Sequence, residues 1–316
     1  MALTLPEWHG RRGEDTALVL RALGIGDLLT AVPALRALRQ HGLRLALAAP
    51  PELRDLVALT GAVDSLIPAH GLEPLSRHRY GRPDLAVNLH GRGPRSHESL
   101  LALRPGRLWA FAHPDRPEVK GPEWAEEEHE MLRWCRMVGW YGVVADPEDF
   151  MLPMPMHTSP APRAIVIHPG GKGSGRRWPP QRFAEVARAL RAREVPVVIT
   201  GSRRERSLAL HVATAAALPA CAVLAGRTSL RELCALVSRA RLVISVDTGI
   251  AHLAAAYGTP SVTIFGPESP ARWGPPPSRP WHRPLHRGPD PAEVSTAEVL
   301  SAIEAAREAA NAPHPP

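Results

Sequence analysis

The run SVDTGIAHLAAAYGTP, residues 245–260, constrains the fold of this chain more than any other stretch. A β-branched apolar segment, 242–246, leads into Asp247-Thr248-Gly249, and an Ala-rich helical stretch begins at once. A second apolar strand, 261–265, follows and closes on Gly266-Pro267. Strand, polar Gly turn, helix and strand predict a βαβ unit, with its ligand site where the first strand's carboxyl end meets the helix N-terminus. Such a helix start presents unpaired N–H groups and the positive end of a dipole, which suits a phosphate. Asp247 and His252 flank the same point, and packing requires neither. The stretch reads as a site for a phosphorylated ligand with hydroxyls to hold.

The same alternation runs along the rest of the chain. Residues 16–21 form a buried-strand pattern, followed by the turn 22–27 and an apolar-periodic stretch through Leu28, Leu29, Val32, Leu35 and Leu38. Pro33 suits the first turn of a helix, or else kinks one. Segments 43–48, 64–67 and 84–89 read as further strands, the last opening into a loop over 90–97. Segments 52–60 and 126–138 read as helices. Residues 146–163, rich in Pro and Met, are the expected linker. A second α/β series begins at Ala164: strand 164–168, a Gly-rich basic loop, helix 181–193, strand 195–200, helix 205–217, strand 222–225 and helix 229–238. Residues 275–291 read as loop from their prolines, and Ser295 with Glu298 forms a capping box for a last helix. Alternating strands and helices in two series predict two parallel α/β domains with a cleft between them.

Composition bounds the partners. At 316 residues there is room for two domains, and with 44% hydrophobic residues no apolar run reaches the length of a membrane span. Residues 1–12 contain Pro6, Glu7, His9 and Gly10 without an apolar core, which argues against a signal peptide. Cys135, Cys221 and Cys234 are widely spaced, which fits reduced thiols in a cytoplasm and no zinc site. The net charge is +7, and 36 of the 38 basic residues are arginine, Lys120 and Lys172 being the only lysines. That bias resembles GC-rich coding and a solvated Arg-rich surface. Aromatic residues are only 5% and do not interleave with basic clusters, so nucleic acid is excluded as a partner, while an anionic substrate or a membrane-surface acceptor remains.

The loop HPGGKGSGRRWP, 168–179, carries the second set of candidates. Its glycines free the backbone to wrap an anion, Lys172, Ser174, Arg176 and Arg177 supply charge and a hydroxyl, and Pro179 suits the next helix's start. It is no Walker loop, since G-x-x-x-x-G-K-[ST] is missing; the alternative is a basic surface loop. In the first series, Gly24-Ile25-Gly26-Asp27 begins like a dinucleotide fingerprint, but Leu29 stands at the third glycine position. Asp27 is either a helix cap or a general base. Glu205 follows the strand-ending Gly201, where a carboxylate can hold a ribose diol or merely sit solvated in a first turn. His90 and Arg92 belong to a loop facing the presumed cleft. No Asp-x-Asp occurs in the chain, so basic side chains and a helix dipole are expected to carry leaving-group charge.

Taken together, four ordered motifs resemble glycosyltransferase family 9, the ADP-heptose–lipopolysaccharide heptosyltransferase family. They are Gly26-Asp27-Leu28-Leu29 with Pro33-Ala34-Leu35; His168-Pro169-Gly170 with Arg177-Trp178-Pro179; Gly201 with Glu205; and Asp247-Thr248-Gly249 with His252-Leu253-Ala254-Ala255 and Gly258-Thr259-Pro260. The last continues into Phe265-Gly266-Pro267 and Trp273-Gly274-Pro275. The resemblance implies a GT-B architecture, two Rossmann-like domains facing each other across a cleft, with metal-independent inverting transfer. It implies Asp27 as catalytic base; Lys172, Ser174, Arg176, Thr248, Gly249 and His252 on the donor phosphates; Asp247 and Glu205 on sugar and ribose; and Gly26, His90 and Arg92 near the acceptor.

The expectation is therefore an acceptor-binding domain over 1–155, a nucleotide-sugar domain over 156–292, a helix over 293–310 that packs back on the first domain, and a disordered tail over 311–316. Function is expected to be cytoplasmic transfer of a heptose from ADP-heptose to a hydroxyl of a glycan, glycolipid or small molecule. No cofactor or metal is expected, and contact with the inner membrane surface is. The alternatives are a nucleotide-sugar epimerase of the same fold and a non-catalytic nucleotide-sugar-binding protein.

Overall fold

Apolar strands buried on both faces build two parallel sheets. The computed structural model describes residues 16–75, 81–171 and 173–312, and the chain divides into two compact units between Leu152 and Pro153. The leader over 1–15 and residues 313–316 of the expected tail lie outside the described residues.

The first unit runs β1 (Thr16–Leu20), α1 (Ile25–Thr30), α2 (Val32–Gln40), β2 (Arg44–Ala49), α3 (Arg54–Leu59), β3 (Ser65–Pro68), β4 (Leu85–Asn88), α4 (Arg95–Leu101), β5 (Arg107–Trp109) and α5 (Glu130–Trp140). Its sheet order is β3-β2-β1-β4-β5, with every pairing parallel. Strand β1 is buried from Ala17 to Leu20, the pattern of a central parallel strand with helical cover. Pro33 lies in the first turn of α2, where its missing N–H costs nothing, and Ala31 separates that helix from α1. Helix α4 and strand β5 are additions to the sequence reading, both too short to show a period.

The second unit runs β6 (Ile165–His168), α6 (Pro180–Arg191), β7 (Val197–Ile199), α7 (Arg206–Ala215), α8 (Leu230–Ser238), β8 (Leu242–Val246), α9 (Gly249–Ala256), β9 (Ser261–Ile264), α10 (Pro270–Trp273), β10 (His282–Leu285) and α11 (Thr296–Asn311). Its sheet order is β10-β9-β8-β6-β7, again parallel throughout. The strand expected over 222–225 reduces to a single bridge between Ile199 and Val223 after a 3-10 turn. Conversely, the Pro-rich stretch read as loop contains β10. Its Pro284 is tolerated because an edge strand is paired on one side only.

The last helix packs within the second unit. Helix α11 buries Val299, Ala302, Ile303 and Ala306 in the core cluster of the second unit, together with Val262, Ile264 and Phe183. It contributes to that unit's core. Its start is fixed by Ser295, whose hydroxyl accepts from Glu298 N–H while the Glu298 carboxylate accepts from Ser295.

Each sheet has one switch point. Strand β1 lies between β2 and β4, and β6 lies between β7 and β8, so successive connections leave in opposite directions. Crevices open outside the carboxyl ends of such strand pairs. In the first unit those ends lead to Asp27 and His90; in the second they lead to Arg176 and Asp247.

Candidate functional site

Asp27 is the third residue of α1. Its Oδ2 accepts the Gly24 N–H at 3.1 Å, and its side chain remains 28% exposed. The capping role is therefore real, but it uses one carboxylate oxygen. The other, Oδ1, lies 3.9 Å from Arg21 Nη2. Arg21, the residue after β1, is fully buried. Its Nε donates to the Asp27 carbonyl at 2.8 Å, Nη1 donates to the Leu89 carbonyl, and its guanidinium stacks 4.6 Å from the Trp134 ring centre. Nη2 donates to Thr30 Oγ1 at 3.1 Å and to Glu130 Oε1 at 3.4 Å. Burial pulls the Arg21 pKa below the usual arginine value, with Asp27 and Glu130 pulling the other way. Glu130 is buried, ion-pairs with buried Arg133, and accepts from Trp134 Nε1 at 3.1 Å. A strand-terminal arginine behind Asp27 thus ties α1 to α5.

His90 follows β4 and is partly buried, its backbone N–H held by Asn88 Oδ1 at 3.0 Å. Burial, then the charge of Arg21, pushes its pKa down to about 4, with Asp27 opposing. The imidazole is neutral at pH 7 and able to accept a hydrogen bond. Gly26 lies inside α1, one residue before Asp27. Arg92 is exposed on the following loop.

In the second unit, β6 and β8 pair with His168 opposite Ser245, so the chain after each strand emerges at the same level. Arg176 ends a 3-10 turn after β6, and its Nη1 lies 3.6 Å from Asp247 Oδ2 just beyond β8. Its Nη2 donates to Glu268 Oε1 at 2.6 Å, just beyond β9. Thr248 is the N-cap of α9 in extended conformation; its side chain makes no cap bond, and its carbonyl accepts the Ala251 N–H at 2.9 Å. His252, one turn along, stands edge-on to Trp273 at 6.0 Å. Packing sets the loop geometry: a Cβ on Gly171 would lie 3.0 Å from Val246 Cγ2. Buried Trp178 anchors the loop's far end by donating Nε1–H to the Val294 carbonyl at 2.8 Å and meeting Phe183 edge to face.

Glu205 ends a 3-10 turn after β7, and its Oε2 accepts the Ser202 N–H at 2.7 Å. Burial opposes its ionisation, but the Ser202 hydrogen bonds, His168 and Arg177 together hold its pKa below the usual carboxylate value. A Cβ on Gly170 would collide with this carboxylate and displace it, so the glycine leaves the Glu205 side chain its place beside the β6 loop. Burial also lowers the pKa of neighbouring His168, whose Nδ1 lies 2.9 Å from Thr200 Oγ1.

The second unit thus gathers Arg176, Asp247, Thr248, Gly249 and His252 at one switch point, while Glu205 stands at the end of the adjacent strand. Lys172 and the side chain of Ser174 lie outside the described residues. Sequence reading missed Arg21, Glu130 and Glu268. An arginine closing an apolar strand was the available signal for the first, and a carboxylate directly after Gly266-Pro267 for the last. Among the described residues, no group of three or more His, Cys, Asp or Glu is placed to hold a metal, and no helix is long and apolar enough to cross a membrane.

The sequence model of glycosyltransferase family 9 (heptosyltransferase) matches residues 153–296, the whole of this switch point included. That segment, somewhat under half of the chain, is similar to family 9 domains. Lipopolysaccharide heptosyltransferase 3 of Escherichia coli is 34% identical over 127 residues, 40% of this chain and 36% of that protein. The match therefore spans about a third of the curated relative's length. Two solved structures share the fold over nearly the whole chain. A family 9 glycosyl transferase from Veillonella parvula has a TM-score of 0.76 at 17% identity, covering 95% of this chain and 99% of its own. ADP-heptose lipopolysaccharide heptosyltransferase II of E. coli has a TM-score of 0.73 at 21% identity, covering 94% and 100%. Two parallel α/β units are thus the architecture of known heptosyltransferases.

Proposed function

We propose that this chain is a glycosyltransferase that moves a heptose from ADP-heptose to a hydroxyl of a cell-envelope glycan, glycolipid or small molecule, on the cytoplasmic side. The observation that carries this reading is the β6/β8 switch point of a family 9-like domain, where Arg176, Asp247 and the α9 N-terminus converge. The Thr248–Gly249 helix start and Arg176 neutralise the diphosphate; Asp247 holds sugar hydroxyls; Glu205 holds the ribose diol. Asp27 takes the acceptor's proton as the acceptor oxygen attacks the anomeric carbon. The bond from that carbon to the phosphate oxygen breaks, the diphosphate leaves with the electron pair, and the anomeric configuration inverts. Neutral His90 accepts a hydrogen bond from an acceptor hydroxyl. Incubation with ADP-heptose and candidate acceptors tests this directly. A glycosylated acceptor is expected; a free epimerised sugar, or unchanged donor, would overturn it in favour of an epimerase or a binding protein.

Because cationic groups and a helix dipole carry the leaving charge, turnover is expected to survive excess EDTA. Loss of turnover on chelation, restored by added metal, would sink the metal-independent mechanism.

The assignment of Asp247 to the sugar has its own test. Charge-assisted hydrogen bonds contribute about 1.5–3 kcal/mol, so Asp247→Asn is expected to weaken ADP-heptose binding roughly ten- to a hundredfold. ADP alone should bind no more weakly, since Asn keeps the shape and frees Arg176 from one carboxylate. Arg176→Ala is expected to weaken both ligands alike. Calorimetry in which Asp247→Asn weakens ADP as much as ADP-heptose would move Asp247 from sugar contact to loop orientation.

A further inference from the structure

Arg176 does not stand free at the donor site. Its guanidinium lies between two carboxylates, Asp247 at 3.6 Å and Glu268 at 2.6 Å, carried by the ends of neighbouring strands β8 and β9. The shorter contact is a charge-assisted hydrogen bond, roughly twice as strong as one between neutral groups. Glu268 is itself braced: its Oε2 lies 3.8 Å from Nη1 of Arg272, one turn along on α10. Packing does not require this arrangement, since side chains of Arg176 and Glu268 are 37% and 25% exposed. A carboxylate is also an unsuitable neighbour for a diphosphate. Both are anions, both are acceptors only, and both need the same guanidinium N–H groups.

We infer that Glu268 competes with the donor diphosphate for Arg176: its carboxylate holds the guanidinium in the free protein, and an entering diphosphate takes its place. The inference rests on the proposed role of Arg176 as a phosphate ligand. It gives Glu268 a defined effect on ligand affinity. Binding must break the Arg176–Glu268 bond, so each nucleotide binds less tightly than the phosphate contacts alone would allow. The free nucleoside diphosphate, which carries more charge than the sugar nucleotide, is opposed most. A competitor of this kind lowers affinity for the spent product and returns Arg176 to a fixed position once the product leaves.

The test is a double-mutant cycle read by calorimetry on the full chain with ADP as the probe. Glu268→Gln is expected to tighten ADP binding about three- to tenfold, because the amide keeps the side chain's shape and removes the competing charge. Glu268→Ala should tighten it as well, which separates competition from positioning. In an Arg176→Ala background the same Glu268→Gln change should do nothing. The gain should shrink as salt is raised, since both residues are open to screening. Unchanged or weaker ADP binding by Glu268→Gln, or a gain that persists without Arg176, would overturn the inference while leaving the donor site intact. A wild-type chain that binds no ADP would overturn both this inference and the donor reading beneath it.

Discussion

Replacing Asp27 by Asn is expected to lower turnover by a factor on the order of 10² to 10⁴ while leaving ADP-heptose affinity nearly unchanged. The geometry makes this a clean substitution. Asp27 uses Oδ2 to accept the Gly24 N–H at 3.1 Å, and an asparagine carbonyl oxygen can keep that bond. The backbone carbonyl of Asp27 stays held by Arg21 Nε and Thr30 Oγ1 whatever the side chain. What Asn cannot do is accept a proton. A variant that folds normally and loses turnover therefore reports the base, whereas near-normal turnover would reduce Asp27 to a helix cap. Measuring kcat and KM beside thermal stability separates the two.

Glu130→Ala is expected to destabilise the protein by about 3–5 kcal/mol, the cost of breaking a buried ion pair by removing one partner. Glu130 is 5% exposed, and its carboxylate faces Arg21 and Arg133, which are 0% and 1% exposed. Deleting it leaves two buried guanidinium groups without their common counter-charge and Trp134 Nε1 without its acceptor. Glu130→Gln keeps the hydrogen-bonding shape and should cost less. Chemical denaturation measures both. A loss under about 1 kcal/mol for the alanine variant would show that water reaches these guanidiniums and that the network is not a buried unit. Because Arg21 also holds the Asp27 carbonyl, the same variant should lower turnover in its surviving folded fraction.

Much of the second unit is readable in the sequence, and the reason is local. The segments 242–246, 247–249 and 250–256 are contiguous, so strand, phosphate-ready helix start and helix are specified by neighbours along the chain. The Gly-rich loop is legible for the same reason. Where the sequence misled, the deciding interactions were distant. The segment 222–225 has strand composition, yet it makes one bridge to β7. The stretch 275–291 has loop composition, yet β9 offers it an edge that Pro284 can join. The last helix was legible from its capping box, but its packing partner was not. An amphipathic face states that it must be covered and does not say by what.

By itself, the sequence determined two α/β series, a helix start at Gly249 suited to a phosphate, and the candidate residues Asp27, Arg176, Glu205 and Asp247. Those follow from period, glycine placement and helix-terminal chemistry, which act over a few residues. Only the tertiary structure decided which charges meet. Arg21 and Glu130 are 109 positions apart, and Arg176 and Glu268 are 92 apart. Parallel strand order brings the first pair together through β1 and α5, and the second through the carboxyl ends of β6, β8 and β9. Ion pairs between residues so far apart leave no periodic trace, because their geometry is set by how strands are ordered in a sheet.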